Sequence, residues 1–217
     1  MKGYHSRIMQ TTSPEQCHSL VLDNPFWAYS LTIWALPNAQ QALLALQDDF
    51  DCRINALLFA CWTGSLGQSL QAQLIQAIEN SASWHRDTVT PLRAVRRGLR
   101  QEMPEESRQS LVPQKPLEAF KQAMLAAELQ AEQIEQALFY DFYCRNIAGE
   151  KIVDTVDKHT QRQATTDNLL SYIRHVQHAM PAPAPLPFEE LSQLMSDCLS
   201  KTSKHTILDY LKGHDAQ

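Results

Sequence analysis

Glycine is scarce in this sequence, with six residues in 217 against eleven prolines. Hairpin turns and Gly-rich phosphate loops need positive-φ positions that glycine supplies most readily, so all-β and Rossmann-like folds are disfavoured. An excess of positive charge is also missing. The formal net charge of −5 argues against attraction of the whole chain to nucleic acid or anionic lipid and leaves only a local patch for such binding. The five cysteines, Cys17, Cys52, Cys61, Cys144 and Cys198, are odd in number, scattered, and without a C-x-x-C pair, which fits a reduced, cytoplasmic setting. The longest strongly apolar run, Ala56 to Trp62, is too short to cross a bilayer, and no apolar segment follows Lys2 and Arg7. Neither an export signal nor membrane insertion is expected.

Reactive motifs are missing as well. There is no G-x-x-x-x-G-K-[ST] loop and no H-E-x-x-H pair, and Ser65 between Gly64 and Gly67 does not form a G-x-S-x-G elbow. Nucleotide hydrolysis, zincin chemistry and serine hydrolysis therefore lack their parts, and the sequence nominates no catalytic residue, cofactor or metal set. Cys52 and Cys61 lie in or beside apolar helices, where a thiol fills core. His175 and His178, or Asp154, Asp157 and His159, are competent ligand types, but two ligands do not define a tetrahedral site.

What is present is helical periodicity in a chain that is 44% hydrophobic and 20% charged. The expected fold is all-α, a multi-helix bundle with a long heptad-patterned helix in its second half. Residues 1–13 read as a polar tail, 14–102 as an amino-terminal helical domain, and 103–116, with three prolines, as a linker. Residues 117–180 hold the long helix and short helices, and 181–217 a proline spacer and terminal helical tail.

Asp23 and Asn24, as acceptors for free amides, and Pro25 after them mark the first helix start, Pro37 its end, and Asn38 the cap of a second helix. Ile54 to Trp62 has so few polar positions that it reads as the central helix. Pro91 either kinks a continuous helix or opens a new one capped by Thr90. Leu117, Phe120, Met124, Ala127, Ala131, Ile134 and Leu138 alternate spacings of three and four, predicting a packed seam, with Glu118, Glu128, Glu132 and Glu135 as an acidic outer surface. A further short helix around Leu169 to Val176 takes its cap from Thr166 or Asp167. The tail helix either docks on a partner or folds back onto its own core.

The ordered run Asn24-Pro25-Phe26-Trp27, Ser30-Leu31, Leu46-Gln47-Asp48, Asn55, Leu57-Leu58-Phe59, Trp62 and Gly64, followed by Trp84, Pro91-Leu92-Arg93 and Arg96-Arg97, carries a resemblance. It resembles a family of uncharacterised, mainly proteobacterial, conserved hypothetical proteins over about residues 22–100. That resemblance implies a compact helical domain and no particular activity.

Two constellations are candidate sites. Arg93, Arg96, Arg97 and Arg100 fall on one side of a helix and Leu92, Val95 and Leu99 on the other. Guanidinium groups recognise carboxylate and phosphate bidentately, so this face suits a protein partner, a phosphorylated ligand or nucleic acid. The plainer reading is that the acidic face of the long helix, or water, neutralises it. Separately, Ser30, Gln47, Asp48 and Asn55 are polar residues in apolar helices. With Trp27 and Trp62 they form the makings of a polar pocket with aromatic walls between the first three helices, for a helical enzyme or small-molecule carrier. The plainer reading there is an interhelical hydrogen-bond network. The expected role is that of an interaction or adaptor protein acting through the arginine face, with the pocket and nucleic-acid binding as alternatives and self-association through the 117–138 seam as a further route.

Overall fold

The computed structural model describes residues 20–101, 114–148, 156–180, 185–199, 207, 208, 211 and 212. The expected polar tail, Asp154, most of the 103–116 linker and the first part of the proline spacer lie outside the described residues. Every regular element within them is helical.

Helix α1 (Pro25–Trp34) starts where Asn24 Oδ1 accepts the Trp27 N–H at 2.8 Å, with Pro25 in the first turn, where no amide hydrogen is missed. Pro37 does not only end this run. Its fixed φ also suits it to open α2 (Pro37–Phe50), so Leu36 rather than Asn38 stands at the cap, without a side-chain bond. Asp51 closes α2 in the left-handed region at φ 53°. In α3 (Ile54–Ser65) every residue from Asn55 to Gly64 is buried, as expected of the central helix.

Helix α4 (Ala72–Asn80) leads into a short α5 (Ala82–Trp84), a π-helical turn at His85–Val89, and α6 (Thr90–Gln101). The path is continuous: Thr90 is helical at φ −60° and its N–H reaches back five residues to the His85 carbonyl. Pro91 has no N–H, and its ring crowds the carbonyl four residues earlier. The widened turn just before it makes that room.

Helix α8 (Lys158–Ala179) is longer than its apolar pattern predicts, because Asp157 caps it by accepting from the His159 and Thr160 amides at 2.8 and 3.0 Å. Thr166 and Asp167 lie within it. The polar stretch that hides this helix in the sequence is buried against α3: Thr165, Thr166 and Asn168 have no exposed surface. Asn168 satisfies its own amide by accepting the Leu70 N–H at 2.6 Å and donating to Gln68 O at 2.9 Å and Thr63 Oγ1 at 3.1 Å. The close approach rests on Gly64, where a Cβ would stand 2.5 Å from Thr165 Cα and 2.6 Å from its nitrogen.

Helix α9 (Phe188–Cys198) lies along α2 with Leu191, Leu194 and Met195 buried, so the tail helix docks on its own chain. An aromatic cluster joins α1, α3 and α7 (Gln114–Asn146): Phe59 and Phe139 ring centres are 5.0 Å apart, Phe26 and Phe59 5.3 Å, and Trp62 and Tyr143 4.7 Å. The Phe139 to Tyr143 segment therefore packs core.

The long helix α7 turns a different face inward from the one its periodicity predicts. Glu128 and Glu135 retain 3% and 1% of their exposure, while Phe120 of the leucine-type seam is 49% exposed. Of that seam only Ala131 is fully buried. The reason is the neighbour: α6 presents arginines, and carboxylates rather than leucines complement them.

Candidate functional site

A layer of ion pairs holds α7 against the preceding helices. Glu135 Oε1 accepts from Arg53 Nη2 and lies 2.9 Å from His85 Nδ1, while its Oε2 accepts from Asn55 Nδ2 at 2.6 Å. Burial pushes the Glu135 carboxyl up, but hydrogen bonds from His85 and Asn55 and the charges of Arg53 and His85 outweigh it, and the group sits below the usual glutamate range. Arg53 also donates to Ile78 O at 3.0 Å and Ser81 Oγ at 2.7 Å, and stands 5.7 Å over the Phe139 ring.

The arginines of α6 belong to the same layer. Arg96 pairs with Glu128 through Nε and, at 3.1 Å, Nη2; Arg93 donates to Glu132 at 2.7 Å and to Glu128 at 3.4 Å. The Glu132 carboxyl is pushed up by burial, opposed by Arg93, and raised further by Glu128 and Glu135. Arg97 reaches across to α2, donating to Asp48 Oδ1 at 2.6 Å and Gln47 Oε1 at 3.3 Å, and this pair is about half exposed. The Arg100 side chain lies outside the described residues. Val95, on the apolar side of α6, is 45% exposed, so α6 and α7 face each other through their charged sides.

Beside this layer α1, α2, α3, α6 and α7 leave a groove of about 480 Å³. Its walls are apolar: Trp27, Leu31 and Trp34 from α1, Leu44 from α2, and Leu125 and Leu129 from α7. Arg93, Arg96, Glu128 and Glu132 border it, and Ser30, Gln47, Asn55 and Gln136 form polar ground within it. Among the described residues Ser30 Oγ, Gln47 Nε2 and Gln136 Oε1 are buried without a hydrogen-bond partner. Such groups each destabilise by about 1–3 kcal/mol while unpaired, and three of them share one groove.

The structure thus brings together Trp27, Ser30, Gln47 and Asn55 of the six pocket residues read from the sequence. Asp48 stands outside, paired with Arg97, and Trp62 lies in the aromatic core. Sequence reasoning missed the α7 contribution. Leu125 and Leu129 are apolar residues four apart that the heptad seam leaves out, and that surplus was the available signal.

Elsewhere, His175 and His178 border a surface groove on α8 with Gln71 and Arg174, and Asp157 serves as a helix cap. Among the described residues no group of three or more His, Cys, Asp or Glu side chains gathers at metal-holding distance. Burial, and then the Asp51 charge, push the Cys52 thiol up to about 12, so it stays an unreactive thiol. No helix among the described residues is long and apolar enough to cross a membrane.

A family described as protein of unknown function (DUF2390) matches residues 25–139, further into α7 than the resemblance over about 22–100 implies. Every groove residue from Trp27 to Gln136 falls inside that span, whereas α8 and α9 fall outside it. No curated protein and no solved structure matches the chain.

Proposed function

The chain belongs to this family of unknown function, and we propose that it is a binding protein that takes a small, chiefly apolar molecule into the groove between α1, α2, α3, α6 and α7. One observation carries the reading: exposed Leu31, Trp34, Leu44, Leu125 and Leu129 converge on the same groove as three buried, unpaired, uncharged polar atoms. Apolar walls with a few oriented polar groups are the usual makeup of a small-ligand site, and the volume is in the usual range. The arginine face supports a partner- or nucleic-acid-binding role less well, because Arg93 and Arg96 are taken up by Glu128 and Glu132.

Nile red, a neutral dye whose emission shifts to the blue in apolar surroundings, tests the groove. The pair Leu31→Glu and Leu129→Glu changes residues that are half exposed, so the fold is retained and is checked by urea unfolding. Dye affinity falls at least about tenfold, because two carboxylates now face its apolar surface. Unchanged dye binding in the folded double variant removes the groove from the account.

A further inference from the structure

The polarity of the groove lining is fixed by the charged layer beside it. Glu135 is the carboxylate partner of the donor-only Arg53 guanidinium, and as such it only accepts hydrogen bonds. Asn55 must therefore turn its NH2 toward Glu135 Oε2, at 2.6 Å, which leaves Asn55 Oδ1 as an acceptor. Gln136 must in turn present its NH2 to that oxygen, at 2.8 Å. The far end of this relay is the Gln136 carbonyl oxygen, 97% of the residue being buried, with no partner among the described residues. Reversing either amide would set two oxygens or two NH2 groups against each other.

On the α2 side the fixed partner is a cation, and the amide it orients is left with its donor end free. Arg97 is donor-only, so it takes the Gln47 oxygen at 3.3 Å and leaves the Gln47 NH2 unpaired. Gln136, Gln47 and Ser30, which line the groove, thus bring to its border one committed acceptor, one committed donor and one hydroxyl that plays either part, all three atoms buried and unpaired among the described residues. The charges that border it are balanced within the chain, two arginines against two glutamates in cross-linked pairs.

Resting on the groove reading above, we infer that the ligand class is a neutral molecule carrying an amide-type group, with an N–H for Gln136 and a carbonyl for Gln47, on an aromatic or branched apolar body. Primary and secondary carboxamides and lactams have that pair of functions. A free carboxylate offers no donor to Gln136 and an ammonium no acceptor to Gln47, and each would bring a charge that the balanced border does not match.

The test uses the full chain and four probes with one body: 2-naphthylacetamide, 2-naphthylacetate, methyl 2-naphthylacetate and 2-(2-naphthyl)ethylamine, each titrated by calorimetry. The amide binds at least about tenfold more tightly than the other three, the loss expected when one buried polar group stays unpaired. Gln136→Met, which keeps the volume and removes the acceptor, brings amide and ester within about twofold of each other. The wild-type ranking stands as a test even where that variant fails to fold. Binding of all four without preference, or tighter binding of the acid or the amine, overturns the amide assignment and leaves the groove in place. Binding of none removes the groove reading and this inference with it.

Discussion

Helices α3 and α7 both contribute to the core, and both bury polar side chains, yet their sequences relate to their burial in opposite ways. In α3 the apolar residues are inside and the few polar ones, Asn55 and Thr63, have partners on neighbouring helices or on their own turn. In α7 the buried stripe includes Glu128, Glu135 and Gln136, while leucines at 125 and 129 stay 40% and 50% exposed. The difference lies in what each helix meets. Helix α3 meets α8 through close backbone approach at Gly64 and Thr165 and through neutral hydrogen bonds from Asn168, whereas α7 meets the arginines of α6 and Arg53. A hydrophobic stripe marks the buried face of α3, whose neighbour brings no charge to the contact; facing cations select carboxylates on α7.

Substitutions on the two helices sharpen that contrast. The largest effect belongs to Glu135→Leu, which leaves Arg53 buried without its carboxylate and lowers unfolding free energy in urea by about 3–5 kcal/mol. A neutral result would mean that the acidic stripe of α7 is not holding the helix in place. Next comes Gly64→Ala on α3, where the added methyl meets Thr165 backbone and forces α8 outward, lowering stability by about 1–3 kcal/mol. Arg97→Ala removes a half-exposed pair and lowers stability by about 0.2–1 kcal/mol, an effect that shrinks further in high salt. The smallest effect is that of Phe120→Ser, within about 0.5 kcal/mol of wild type by the same urea measurement. A loss at Phe120 comparable with that at Glu135 would restore the heptad seam as the packed face.

Much of the fold was legible in the residues. The all-α class, the central burial of α3 and a helical element in the C-terminal tail follow from apolar spacing, and the start of α1 from the acceptors Asp23 and Asn24 before Pro25. The start of α8 was not legible, because Thr165, Thr166 and Asn168 interrupt the apolar pattern while being buried through hydrogen bonds and close backbone approach. Ser30, Gln47 and Asn55, which border one groove, stand out in the sequence as polar groups in apolar helices, with the aromatic Trp27 beside them. The α7 wall was missed because the heptad seam offered a more regular pattern, and only the facing arginines decide which stripe goes in.

Titration of the glutamate side-chain carboxyls by carbon-detected NMR tests the inward-facing acidic stripe without altering the chain. Glu135 is predicted to titrate below the ordinary glutamate value of about 4.3 and Glu132 above it. With Glu135 depressed, its share of stability is present above that ordinary value and is lost as pH falls through its folded pKa. Glu132 acts in the other sense, losing stability as pH rises from the ordinary value through its raised pKa. If Glu132 and Glu135 instead titrate together at the ordinary value, α7 faces its carboxylates to water and the account of both the ion-pair layer and the groove beside it is wrong.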